Sequence, residues 1–241
     1  HENLVFSTKI DYILHFYFYD IIMPTNVQTT SSSISINRTL RNTYQLLSAT
    51  LLFSGLMAYL SMYLNLPYFG LLITLGGYFG LLFLVTKLRN SASGILAVFA
   101  LTGFMGLTLG PIIGAYTTAF SNGSELVAMA MTGTAAIFLS LSFYAIVSQK
   151  DFSFLAGFLT AGIIVAFLAG IAAYFFQIPV LSLTVSAAFI LLMSGLILYE
   201  TSSIIHGGET NYIMATVTLY ISIYNLFLSL LQILGIFSGN D

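Results

Sequence analysis

The sequence predicts an all-α polytopic membrane protein: seven transmembrane helices, with the last helix central and wrapped by the other six. Three observations lead there. Only 6% of the 241 residues are charged and 58% are hydrophobic, whereas a soluble domain carries about 25% charged residues. The apolar runs are long and continuous, unlike the short alternating segments of an outer-membrane barrel. The last long helix, 211–236, carries a line of polar residues, Asn211, Thr218, Ser222, Asn225, Ser229 and Gln232. Their spacing of 7, 4, 3, 4 and 3 puts all six on one stripe at 100° per residue. A lipid-facing helix has no use for such a stripe, so the other helices are expected to enclose this one.

Residues 1–37 differ from the rest and are read as leader sequence plus a flexible cytoplasmic tail. The run 10–22 is rich in Tyr and Phe but is broken by Asp11, His15 and Asp20. It is too short and too polar to span a bilayer. No basic n-region with a small-residue cleavage site marks a signal peptide. Residues 1–22 are taken as a leader or tag remainder, with the natural start near Met23. A Ser/Thr-rich tail follows, in which Thr25, Asn26, Gln28 and Ser31 are candidate contacts for a partner.

Residues 38–241 form the expected membrane domain. Seven spans are assigned to 44–64, 68–86, 94–120, 126–148, 152–176, 179–199 and 211–236. Each holds about 20 apolar residues, which at about 1.5 Å per residue match a hydrocarbon core of about 30 Å. The connections are short, so consecutive helices are antiparallel neighbours. Outside the leader the basic residues are Arg38, Arg41, Lys87, Arg89 and Lys150. Seven spans put all five at the same end. The positive-inside rule then predicts a cytoplasmic N-terminus and a C-terminus on the opposite, periplasmic side.

Small residues predict close helix packing. Gly106, Gly110 and Gly114 recur on the third span, Gly76 and Gly80 on the second, and Ala166 and Gly170 on the fifth. Pro111 is expected to kink the third span, with Thr108 satisfying a freed carbonyl.

Chemistry-bearing residues are few. Glu200, His206 and Glu209 surround the glycine-broken turn before the last helix. They form either a pH-sensing cluster at the mouth of an ion path or an ordinary helix-terminal turn, with Glu209 and Thr210 suited to the N-terminal dipole. The stripe, with Asn225 as its most demanding member, either lines a path for cations or protons or makes interhelical hydrogen bonds worth about 0.6 kcal/mol each. The chain has no Cys and three His, which leaves no thiolate chemistry and little for a zinc site. No HExxH, GxSxG, Walker A or dinucleotide motif occurs. No cofactor, metal or enzymatic activity is expected, and without basic runs neither is nucleic acid.

Several short segments carry a family resemblance. They are Arg41-Asn42-Thr43-Tyr44, Thr102-Gly103-Phe104, Leu109-Gly110-Pro111, Lys150-Asp151 and Ser153-Phe154-Leu155. The longest is ETSSIIHGGETNYI at 200–213, followed by Leu219-Tyr220 and Tyr224-Asn225-Leu226-Phe227. Over about 38–238 the chain resembles the Bax inhibitor-1 (transmembrane Bax inhibitor motif) family, in particular its YccA-like bacterial inner-membrane branch. The resemblance implies a seven-helix fold around a central last helix. It also implies association with FtsH, the membrane-bound ATP-dependent protease, as a poorly degraded partner that restrains it. Other members are pH-sensitive calcium leak channels that use two buried Asp. Here Glu200 and Ser222 stand at those positions, and Glu209 is the only nearby second carboxylate. The first expectation is therefore an FtsH modulator, and the alternative is a calcium or cation leak.

Overall fold

The computed structural model of the protein describes residues 26–239, so the leader, Met23 and Thr25 lie outside the described residues. The chain divides into two units, 1–38 and 39–241, and the second is the membrane body. The helices are α1 (Asn26–Tyr63), α2 (Gly70–Leu88), α3 (Ser93–Ala119), α4 (Gly123–Ser148), α5 (Ala156–Phe176), α6 (Pro179–Ile205) and α7 (Tyr212–Ser238). A short 3-10 turn, Ser153–Leu155, precedes α5. Among the described residues seven helices are long and apolar enough to cross a membrane, with that part of α1 starting at Arg38. Helix α1 thus begins inside the stretch read as tail, in a Ser/Thr-rich segment of modest helix propensity.

The helix ends follow local chemistry. Pro179 opens α6, where its missing N–H costs nothing. Gln149 and Gln177 close α4 and α5 in left-handed geometry, φ 50° at each. Their amides bond back to Ala145 O and Ala173 O. The α2–α3, α4–α5 and α6–α7 connections share one end of the body. Asn211 there donates to Arg89 O at 3.0 Å and to Asn90 Oδ1 at 2.9 Å, while His206 Nε2 is 3.1 Å from Gln149 O. Lys87, Arg89 and Lys150 belong to that end, and the opposite connections, 64–69, 120–122 and 177–178, contain no Lys or Arg.

Two helices are most enclosed. Half of the apolar window of α3 is buried and 44% of that of α7, against 28% or less for each of the others. Helix α7 packs against α2, α3, α4 and α6 and reaches α1 through the hydrogen bond between Tyr220 and Ser54 at 2.6 Å. Helix α5 packs on α6 instead. Complete wrapping of the last helix by six others is therefore not what the packing displays. The polar stripe marks an inner face without identifying which neighbours meet it.

The small-residue ridges divide. A Cβ on Gly110 would meet Ser61 Cβ at 2.5 Å and Ala58 O at 2.7 Å, and one on Gly106 would fall on Ser54 O. These two glycines let α3 approach the α1 backbone. Gly76, Gly80 and Gly114 have nothing within 4 Å, so their spacing does not report contact. Pro111 removes the donor for Leu107 O, and that carbonyl accepts from Ser61 Oγ of α1 at 2.8 Å. The compensating group is Ser61 rather than Thr108, whose hydroxyl bonds Met105 O at 2.8 Å. A hydroxyl from a neighbouring helix reaches the gap that proline opens.

Candidate functional site

Helix α6 ends in ETSSII, and its last turns carry Glu200 inside the protein. Glu200 is 6% exposed, with Thr201 and Ser202 beside it at 0% and 1%. Thr201 Oγ1 is 3.2 Å from Tyr44 Oη of α1, in a hydrogen bond. Glu200 Oε1 has no hydrogen-bond partner among the described residues. A buried, unmatched carboxylate oxygen costs about 1–3 kcal/mol or more, so its presence here asks for a reason beyond stability. Glu209 is the carboxylate within electrostatic range of it.

His206 and Ser202 fasten the α4–α5 connection. His206 Nδ1 lies 2.8 Å from Ser202 O and 3.3 Å from Ser202 Oγ. Ser202 Oγ donates to Lys150 O at 2.9 Å and accepts from the Phe152 amide at 3.1 Å. Next to them Asp151 accepts from the Ser153 amide at 2.8 Å. That bond, reinforced by the Ser153 hydroxyl and the nearby His206, holds the Asp151 carboxyl below the usual carboxylate range. Its contribution is present above the unfolded value of about 4 and is lost as pH falls through the lowered folded value.

Glu209 and Asn211 start α7. Glu209 Oε1 accepts from the Asn211 amide at 2.7 Å. Asn211 Oδ1 then accepts from Ile213 and Met214 at 3.0 and 3.1 Å, capping the helix. In the sequence Glu209 and Thr210 suit the N-terminal dipole of a helix spanning 211–236, and Asn211 counts with the stripe. The structure makes Asn211 the cap, because its side chain reaches the amides two and three residues on.

The rest of the stripe is mainly self-satisfied or structural. Ser222 Oγ donates to Thr218 O at 2.8 Å and Asn225 Nδ2 to Ile221 O at 2.9 Å, both within α7. Ser222 is fully buried. Gln232 joins α6, accepting from Ser186 at 2.7 Å and donating to Ser182. Glu200, His206 and Glu209 therefore gather at one end of the body. Ser222 and Asn225 lie about 15–20 Å along α7 from its start, at 1.5 Å per residue.

The interhelical polar ties of α7 come mostly from residues off the stripe. Tyr220 Oη contacts Ser54 and donates to Thr102 O at 3.3 Å. Tyr224 Oη is 3.2 Å from Thr108 Oγ1, and Thr216 donates to Thr43 O at 3.3 Å. A tyrosine reads as apolar in a periodicity count, so its hydroxyl escapes notice. The pairs Leu219-Tyr220 and Tyr224-Asn225 were visible only as motif residues.

Comparison with known proteins agrees with these motifs. Residues 36–239 match the Bax1-I family, described as "Inhibitor of apoptosis-promoting Bax1". The chain is 52% identical over 211 residues to "Modulator of FtsH protease YccA" of Escherichia coli (strain K12), covering 88% of this chain and 95% of that one. It has the same identity and coverage with "Inner membrane protein YccA" of Escherichia coli O6:H1. It is 42% identical over 220 residues to an "Uncharacterized membrane protein" of Vibrio cholerae, covering 91% of this chain and 98% of that one. With a family match over nearly the whole membrane body and relatives matched almost end to end, the chain belongs to the Bax inhibitor-1 family.

Proposed function

We propose that the protein is a multi-pass inner-membrane modulator of an FtsH-like membrane-bound protease, and that it acts by binding rather than by catalysis. One observation carries this reading: 52% identity across 95% of a relative named as a modulator of that protease. The segregation of Lys87, Arg89 and Lys150 to one end supports a cytoplasmic N-terminus and a periplasmic C-terminus. In this reading the protease engages residues 23–37, including Thr25, Asn26, Gln28 and Ser31, and pulls on α1. The body resists. Helix α1 is locked to α3 by the close approach at Gly106 and Gly110 and by Ser61 on Leu107 O, and to α7 by Ser54 on Tyr220. The protease is occupied by a partner that it extracts slowly. Co-purification from membranes tests the tail: FtsH is retained by the full chain and lost from a chain lacking residues 23–37. Equal retention by both places the contact elsewhere.

A second reading is favoured by Glu200, a buried carboxylate with an oxygen that has no partner among the described residues. It is a leak for protons or calcium controlled from the end where Glu200, His206 and Glu209 lie. Ser222 and Asn225 would be the polar members further along. Two buried acids sharing a proton make a switch. Ser222 cannot supply the second acid, which leaves Glu209 to do so from the connection.

A further inference from the structure

A cavity of about 470 Å³ lies between α2, α3, α5, α6 and α7, within the about 300–1,000 Å³ range of small-molecule pockets. It is separate from the Glu200 cluster, and none of Glu200, His206 or Glu209 lines it. Its two ends differ in chemistry.

The outer end opens sideways. Phe79 of α2 and Ile164 and Leu168 of α5 line it and are 49%, 55% and 58% exposed. On membrane-crossing helices this apolar exposure faces lipid. Helix α2 packs on α3 and α7, whereas α5 packs on α6. The gap between α2 and α5 is crossed by one edge-to-face pair, Phe79 and Phe167, with centroids 5.9 Å apart. An aromatic pair of this kind is worth only about 0.5–1.5 kcal/mol, so it can part to admit a molecule.

The inner end is polar and uncharged. Thr74, Thr108, Tyr224 and Asn225 line it, and among the described residues no Asp, Glu, Lys, Arg or His lines the cavity. Thr108 and Tyr224 bond each other. Asn225 spends one amide hydrogen on Ile221 O, and its other hydrogen and Oδ1 take no partner among the described residues. Thr74 Oγ1 is buried and also lacks one. In hydrocarbon such groups have no water to turn to. A ligand with a neutral hydrogen-bonding head would satisfy them, whereas a charged head would meet no counter-charge. The buried tail of a phospholipid would present only a methyl group, because its own polar groups stay at the interface.

We propose that this cavity binds an uncharged amphiphile taken sideways from the bilayer. Its hydroxyl or carbonyl head sits at Asn225 and Thr74, and its apolar body runs out between α2 and α5. Asn225 is then a ligand-binding residue rather than part of an ion path. The test uses the full chain in proteoliposomes with two probes, a diazirine-bearing hexadecanol and the matching headless diazirine hexadecane. Hexadecanol should mark cavity residues on α5 and α7, such as Phe167 and Ile221, about five-fold more than hexadecane does, the weight of one hydrogen bond. Asn225→Leu should erase that preference while marking at lipid-facing Val180 and Leu191, both 75% exposed, stays the same. Ile164→Trp, which blocks the mouth and leaves the polar end intact, should reduce marking of the cavity by both probes and serves where the Asn225 variant fails to fold. Equal marking by both probes in the unaltered protein, marking only at lipid-facing positions, or preference that survives Asn225→Leu would overturn the proposal.

Discussion

Gly106→Val should unfold the body at a much lower temperature than Gly114→Val, although both lie on α3 and both belong to the same four-residue repeat. A side chain at 106 has to displace Ser54 O, a backbone carbonyl of α1, and also meets Met57 Cβ at 3.0 Å. Neither can yield cheaply, because the carbonyl belongs to a helix and Met57 follows it on the same face. Overpacking of this kind costs about 1–3 kcal/mol and occasionally more. A clash with backbone puts this case at about 3 kcal/mol. At 114 nothing lies within 4 Å, so valine there extends into open space. Thermal unfolding in one detergent, followed by loss of the monodisperse species, compares the two directly. Equal midpoints would mean that α1 and α3 do not approach as described.

Glu200→Leu carries the second large effect, and the sign is unusual for a buried substitution. The side chain gives up an oxygen that has no partner among the described residues, and the position is only 6% exposed. Removing an unmatched buried polar group recovers about 1–3 kcal/mol. The variant should therefore be more resistant to heat than the parent. A gain in stability on losing this carboxylate would mark Glu200 as a site where stability is traded for function. Liposomes carrying calcium- and pH-sensitive dyes then separate the readings of Glu200. A flux that Leu abolishes assigns it to a leak, and absence of flux from either protein between pH 5 and 8 removes the leak reading. A Leu variant less stable than the parent would mean that Glu200 has a partner that its surroundings do not reveal.

These expectations show what sequence can and cannot convey in a membrane protein. The seven spans and the single basic end were legible because hydrocarbon demands about 20 apolar residues per crossing and Lys and Arg avoid it. The polar stripe of α7 was legible as an inner face through its helical period. What it touches was not, since periodicity orients a residue without naming its neighbour. Hence Asn211 proved to be a cap, and Ser222 and Asn225 bond their own helix. Apart from Gln232, which joins α6, the ties in the body of α7 run through Tyr220, Tyr224 and Thr216, off the stripe. The glycines follow the same logic. Gly106, Gly110 and Gly114 are equivalent by spacing, and only the position of α1 tells them apart. Likewise Pro111 announces a missing hydrogen bond, while the group that answers, Ser61, lies far away in sequence. At the candidate site, Glu200, His206 and Glu209 were legible as neighbours of one turn because they are close in sequence. The part of Ser202 in fastening the 149–152 connection depends on tertiary contact and carried no local signal.

The central claim is that this protein restrains a membrane protease while surviving it. The direct measurement is the degradation rate of a membrane substrate by FtsH in proteoliposomes, with and without this protein, while the amount of each is followed over time. The account predicts slower loss of the substrate, little loss of this protein, and faster loss of the Gly106→Val variant, whose body no longer resists extraction. A substrate lost at the same rate with and without the protein would contradict it.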